Sequence, residues 1–344
     1  MKPLQIVKGA ARFVARRFEE LHPYDVEINL LNACNLRCKY CSCPERKTEL
    51  LSTSEWQSIL HELGKVGMIR VRFQGGEPTL RHDFRELCRA AKNAGAVCAV
   101  TTNGTQIAEA PELLDFLDEV VVSIDALNPA VHDRLRGEGG HALAVRTLDL
   151  ALARGLRVVA NMTMTRENID ELEPLLTFCE ARGVPLHAQP VLFGHPYFNE
   201  GARGLGLDDA AERAVHAKLA VLKRAGRKLL FSAETYDGVS SWEHDFGVLA
   251  VPMQTDSGAT DESGDSPCMA GKFHIHIEAN GDVHPCILHR STSFVPKNLV
   301  RDGFETALKN AQHHNCRDCY TACLVERKRA FDLKPAVVFR ALRG

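Results

Sequence analysis

From residue 25 to about residue 235 the chain alternates between two hydrophobic periods. Short runs that are apolar throughout, or apolar at every second position, give way to longer stretches with apolar residues three and four apart. "DVEINLL" (25–31), "IRVRFQ" (69–74), "AVCAVTTN" (96–103), "EVVVSID" (119–125), "LRVVANMTMT" (156–165) and "VPLHAQPVL" (184–192) read as strands. "STSEWQSILHELGKVG" (52–67), "HDFRELCRAAKNAG" (82–95) and "APELLDFLD" (110–118) read as helices, the first with a Ser/Thr start and a Gly stop. So do "HALAVRTLDLALARG" (141–155), "ENIDELEPLLTFCEARG" (167–183) and "LDDAAERAVHAKLAVLKRAG" (207–226). Six strand–helix units in series predict an α/β fold with a parallel sheet and helices outside. Six units rather than eight predict an open, partial (β/α)6 barrel of TIM type over residues 25–235, with its chemistry at the C-terminal strand ends.

The flanks have other patterns. Within residues 1–24, Val7, Ala10, Val14, Phe18 and Leu21 fall at helical spacing among Lys8, Arg12, Arg16 and Arg17. This predicts an amphipathic basic helix; the first reading is a cap on the barrel's bottom, the second adsorption to an anionic membrane surface. Residues 236–267 include "TDSGATDESGDSP" and read as a linker or lid. Residues 268–325 read as a small Cys-rich domain, a β-hairpin around "ANGD" (279–282) followed by a helix, and 326–344 as a basic tail. The short stretch ahead of the first strand leaves little room for a folded peptide-recognition domain upstream, so a peptide leader would need a separate protein to hold it.

Composition narrows the function classes. The 344 residues are 45% hydrophobic and 25% charged, ordinary for a globular protein. Lys plus Arg number 42 against 44 Asp plus Glu, which gives no electrostatic case for nucleic acid. No apolar run reaches membrane-spanning length and no secretory signal is evident, so the expected location is cytoplasmic, with peripheral membrane contact as the second reading. Twelve cysteines in a reducing compartment do not read as six disulfides. Cys88, Cys98 and Cys179 stand singly in apolar surroundings and read as small core residues. The other nine form two groups.

In the first group, "LLNACNLRCKYCSCPE" (30–45), Cys34, Cys38 and Cys41 follow the first strand with spacing C-x3-C-x2-C, and Cys43 lies just outside it. Three thiolates on one loop leave two readings open. One is zinc, completed by Cys43 or a distant His. The other is a [4Fe–4S] cluster with one iron open to a ligand. The surrounding residues resemble the radical S-adenosylmethionine (SAM) enzymes. Cys34, Cys38, Tyr40 and Cys41 match C-x3-C-x-aromatic-C, and "GGEP" (Gly75, Gly76, Glu77, Pro78) follows the second strand. Asn103 in "TTNG" ends the third strand, Ser123 and Asp125 stand two apart on the fourth, and Asn161 and Thr163 alternate on the fifth. The resemblance implies that SAM chelates the open iron and is cleaved reductively, and that the 5′-deoxyadenosyl radical takes hydrogen from substrate. It also implies that the GGEP motif holds the SAM amino group, that Ser123 and Asp125 hold the ribose, and that Tyr40 lies against adenine. Asn161 and Thr163 would meet the SAM carboxylate or the substrate. The electron would come from a flavodoxin or ferredoxin-type donor.

In the second group, Cys268 and Cys286 bracket Gly281 as C-x12-G-x4-C, and "CRDC" follows at Cys316 and Cys319. Read bare, two distant thiolate pairs suit a structural zinc. The segment resembles the SPASM extension of radical SAM enzymes, or its shortened twitch form. Only C-x2-C-x3-C follows where the full form has more cysteines, so the resemblance implies one auxiliary [4Fe–4S] cluster on Cys268, Cys286, Cys316 and Cys319. Cys323 and Cys43 each have three readings: packing, ligation, or hydrogen donation to a substrate radical as a catalytic residue. His274, His276, His284 and His289 read as surface or supporting residues.

On the first two strands Glu27, Asn29, Arg70 and Arg72 either touch substrate or pair structurally. "GHPYFNEG" (194–201) reads as a substrate loop. The expected activity is hydrogen abstraction from an unactivated C–H of a small-molecule, sugar or lipid-linked substrate. A peptide or protein maturase is the alternative, and a non-catalytic zinc-binding protein is the competing class.

Overall fold

The computed structural model describes residues 22–192, 197–248, 268–288, 294–314, 316–332 and 334. The expected N-terminal amphipathic helix, His289, the acidic Gly/Ser-rich stretch and residues 333 and 335–344 of the terminal basic segment lie outside them.

The barrel begins with β1 (Asp25–Leu31), α1 (Thr53–Lys65), β2 (Arg70–Gly75), α2 (Phe84–Asn93), β3 (Val97–Thr102), α3 (Thr105–Glu109) and β4 (Glu119–Ser123). It continues with α4 (Pro129–Arg136), α5 (Gly140–Ala153), β5 (Arg157–Met164), α6 (Leu172–Ala181), β6 (Leu186–Pro190), α7 (Asp209–Arg224) and α8 (Ala233–Ser240). The C-terminal part adds β7 (His274–Ile277), β8 (Asp282–His284), β9 (Lys297–Asn298), α9 (Phe304–Gln312) and α10 (Ala322–Phe331).

The strands form one sheet in the order β6-β5-β4-β3-β2-β1-β7-β8-β9. Strands β1 to β6 pair in parallel, as the alternating pattern predicts, and the sheet does not close. β7 adds to the free edge of β1, also in parallel, with Asp25 opposite His274 and Glu27 opposite His276. The Cys-rich hairpin therefore continues the barrel sheet. One face of each strand packs under the helices: Ile28, Leu30, Val71, Phe73, Val100, Val120, Val122 and Met162 are fully buried there, as are Cys88, Cys98 and Cys179. Period-two alternation turns Glu27, Asn29, Arg72, Glu119 and His276 to the concave face.

Three details differ from the pattern's reading. Residues 110–118 are not one α-helix: α3 ends at Glu109, and Pro111 opens a 3-10 turn over Pro111–Phe116. Helix α4, capped by the Asn128 side chain on Ala130 N, lies in a stretch that carries no clear apolar period. Helices α8 and α10 each run across an expected boundary, at 235/236 and 325/326. Both are held by long-range partners: Glu326 accepts from Ser232 Oγ (2.7 Å) and Thr235 Oγ1 at the start of α8, and Arg327 donates to Asp25 and Glu27 at 2.8 Å each. α10 thus ties the chain after β6 back to β1. Glu27 and Arg70 take the structural reading, in a buried ion-pair network with Asp25 and Glu119, and Arg72 reaches Glu27 and Glu119 at 3.6 Å each.

Candidate active site at the C-terminal strand ends

β1 delivers the chain into the loop that carries Cys34, Cys38 and Cys41. The three thiols perturb one another's ionisation, and burial raises all three, Cys38 to about 12. Backbone N–H groups of Leu36 and Cys43 point at the sulfurs of Cys34 and Cys41, each at 3.4 Å, and Asn103 Nδ2 lies 3.8 Å from Cys34 Sγ. Such donors stabilise thiolates. A metal cluster replaces the protons that burial otherwise retains, so the donor set fits an iron–sulfur cluster. Cys43 faces away, its thiol 3.5 Å from Asn32 Oδ1. It is buried.

The GGEP motif is clipped to this loop. Gly76 N donates to Leu31 O at 2.8 Å and Glu77 N to Ala33 O at 2.9 Å. Gly75 has φ +135°, and a Cβ on it would strike the Asn29 side chain and Leu31 O; a Cβ on Gly76 would strike the carbonyls of Asn32 and Ala33. The glycines thus serve the approach of β2 to the cluster loop. Glu77 is fully buried and accepts from Thr79 N and Oγ1, Thr102 Oγ1 and Asn103 N, which joins the ends of β2 and β3. Burial raises its carboxyl and these donors offset part of the rise. Pro78 is buried beside it and starts a 3-10 turn.

Asp125 is also fully enclosed. It accepts from Tyr40 OH (2.5 Å), Arg136 Nε (2.7 Å) and Nη2 (3.0 Å), and Thr163 N (2.9 Å). The Arg136 guanidinium lies 5.6 Å from the Tyr40 ring centre. Sequence reasoning placed Asp125 on ribose and Tyr40 on adenine. Here the two hold each other, and Arg136 from α4, which sequence reasoning missed, completes the lock. No periodicity marks Arg136, although it directly precedes the "GEGG" turn (137–140). Ser123 and Asn161 are register partners on β4 and β5 with nearly buried side chains.

The loop after β6 closes over the cluster loop. Ser42 N donates to Tyr197 O, Asn199 N donates to Tyr40 O, and Cys41 bridges Phe198. Tyr197 OH reaches Glu278 at the end of β7, which also accepts from Asn29 Nδ2 (3.0 Å) and pairs with His276 Nε2 (2.7 Å). His274, His276 and His284 are buried in the sheet, so the surface reading of these residues does not hold.

Cys268, Cys286, Cys316 and Cys319 come together from three segments. Hydrogen bonding between Cys268 and Cys316 lowers the first thiol and raises the second, and Cys319, raised by burial, feels both Cys268 and Cys286. Among the described residues no three His, Cys, Asp or Glu side chains close on one ion-sized point. Four thiols from three segments suit the corners of a [4Fe–4S] cluster. Cys323 stands apart: its thiol is raised by burial and faces Arg327, Glu27 and Arg72 rather than the other cysteines.

A cysteine loop at the mouth of an open parallel barrel, backed by a second thiol set, defines an iron–sulfur enzyme of the radical SAM type. The family model for the Radical SAM superfamily matches residues 28–179. Mycofactocin maturase MftC of Mycobacterium tuberculosis (strain H37Rv) is 30% identical over 296 residues, covering 82% of this chain and 69% of the relative. PqqA peptide cyclase of Xanthomonas oryzae pv. oryzae is 28% identical over 276 residues, covering 77% and 68%. The crystal structure of Streptococcus suis SuiB bound to precursor peptide SuiA superposes with a TM-score of 0.65 at 18% identity, covering 90% of this chain and 68% of SuiB. The chain belongs to the radical SAM superfamily. It is an enzyme of C–H modification whose cofactors are a [4Fe–4S] cluster with an open iron, SAM and an auxiliary [4Fe–4S] cluster, and the zinc-scaffold reading falls. Among the described residues no helix is long and apolar enough to cross a membrane.

Proposed function

We propose that this enzyme matures a peptide, abstracting hydrogen from a residue that enters the barrel mouth. The observation that carries this is kinship: relatives sharing 28–30% identity over most of the chain are a maturase and a peptide cyclase. That favours a peptide over the small-molecule, sugar and lipid-linked substrates the sequence also allowed. Cys34, Cys38 and Cys41 hold the first cluster, with SAM against the backbone of Gly75 to Pro78 and between Ser123 and Asn161. Because Glu77 and Asp125 are saturated by protein donors, they position these loops rather than touch SAM. Thr163 and Asn103 act likewise, one through its N–H on Asp125 and the other between Glu77 and Cys34. Cys268, Cys286, Cys316 and Cys319 hold the auxiliary cluster. Cys43 and Cys323 pack. A flavodoxin or ferredoxin supplies electrons in the cytoplasm.

The test is anaerobic incubation of reconstituted enzyme with SAM, reductant and short peptides encoded beside its gene. A peptide mass change that depends on SAM is expected; 5′-deoxyadenosine with every such peptide unchanged would sink the reading. Cys268→Ala separates the two clusters. It is expected to spare uncoupled 5′-deoxyadenosine formation, measured by chromatography, and to stop accumulation of modified peptide.

A further inference from the structure

The concave face below the cluster loop holds charge that the reading above does not use. In the two lowest layers, the guanidiniums of Arg70, Arg72, Arg157 and Arg327 meet only the carboxylates of Asp25, Glu27 and Glu119. Burial and nearby cations hold His187 and His274 neutral, at about 3 and about 4. Arg157 is half exposed to solvent, so the enclosed set is three guanidiniums, Arg70, Arg72 and Arg327, against three carboxylates. Glu278 lies a layer above, engaged with Asn29, Tyr197 and His276.

Arg72 is the least compensated. Its ion pairs to Glu27 and Glu119 are both long, 3.6 Å, and burial with the neighbouring Arg70 and Arg327 lowers its basicity. Polar atoms are also left over. Arg70 Nε, Arg72 Nε, Arg327 Nη1, His187 Nε2, His274 Nε2 and Asp25 Oδ1 are buried without hydrogen-bond partners. Native interiors rarely leave so many in one place without an occupant. Donors dominate: three guanidinium N–H groups stand against a single carboxylate oxygen. They come from β1, β2, β6, β7 and α10, so they converge on one space. Gln74, Thr101, His187 and Gln189 are partly exposed on the same face and mark a way in from the rim.

We propose that this lower half of the barrel is a carboxylate subsite, with Arg72 and Arg327 as its cationic contacts and the His187 imidazole as a further donor. A planar two-oxygen anion matches guanidinium forks, and its oxygens would satisfy the N–H groups left without partners. Arg72 precedes Gly75 by three residues, about 10 Å of strand. A carboxylate seated here leaves one to two residues of extended substrate between itself and the SAM motif. Resting on the peptide reading, the group is the substrate's C-terminus or an acidic side chain near the modified residue.

[13C]Formate is the probe. It is titrated into the full-length holoenzyme with SAM bound, which blocks the open iron, in chloride-free buffer, and read by NMR line broadening. Saturable broadening, displaced by acetate and not by formamide, is expected, and Arg72→Met weakens it at least tenfold. If that variant fails to fold, Arg72→Lys and His187→Gln serve instead, each with a measurable loss of affinity. Non-saturable broadening, or broadening unchanged in the variants, means adventitious binding only and overturns the proposal. Peptide maturation without Arg72-dependent formate binding removes the subsite alone. Arg72-dependent binding in an enzyme that modifies no peptide removes the peptide reading alone.

Discussion

Single replacement of Cys34, Cys38 or Cys41 by Ala reduces 5′-deoxyadenosine formation to background, whatever substrate is supplied. When bound, the cluster with SAM supplies the one-electron cleavage that starts the reaction, so the loop's task is to hold three sulfurs and leave a fourth corner open. Cys34 and Cys41 sit under backbone N–H groups 3.4 Å from their sulfurs, and Asn103 backs Cys34. Alanine removes a thiolate while those donors stay aimed at nothing, and no neighbouring thiol takes its place, because Cys43 points at Asn32. Iron analysis accompanies the assay: each variant retains about four iron atoms, those of the auxiliary cluster. Cys43→Ala keeps full iron and most of the activity. Loss of the first cluster in Cys43→Ala, with retention in Cys41→Ala, reverses the assignment.

The strand ends that carry this site were legible because the barrel strands are short and apolar on the helix side, and β2, β3, β5 and β6 each follow a Gly-stopped helix. The motifs were legible for the same reason, since each falls at the end of its strand. What local pattern did not carry was partnership. Glu77 and Asp125 stand where ligand contacts were expected, yet their oxygens are taken by Thr102, Asn103, Tyr40, Thr163 and Arg136, which lie on other strands and helices. Nothing within a few residues of Asp125 signals Arg136, because helix α4 is weakly patterned and the pairing is set by its packing beside β4. The parallel join of β7 to β1 was likewise invisible. "HIHIEANGD" reads as a hairpin whichever neighbour it has, and only the register of Asp25 with His274 discloses that the Cys-rich segment extends the barrel. Arg327 is the sharpest case: a residue read into a basic tail holds two carboxylates of the first strand.

Asp125→Ala is expected to unfold the mouth of the barrel rather than merely weaken SAM binding. Asp125 is fully buried, and Arg136 exposes 8% of its side chain. Removing one partner of a buried, bidentate ion pair strands the other charge, at about 3–5 kcal/mol. The same change leaves Tyr40 OH and Thr163 N without their acceptor, which frees the cluster loop from β4 and β5. The expected readout is a large drop in the urea midpoint of the apo-chain and poor iron retention after reconstitution. Replacing both partners, Asp125→Ala with Arg136→Met, recovers part of the loss, since an apolar pair carries no stranded charge; the double-mutant cycle isolates their coupling. Tyr40→Phe, which keeps the ring over Arg136 and loses only the hydroxyl, costs about 1 kcal/mol. A ribose contact predicts the opposite split: an unchanged urea midpoint for Asp125→Ala, full cluster content, and a weakened SAM Kd. That result would return Asp125 to the ligand and leave the lock between Tyr40, Asp125 and Arg136 without a structural role.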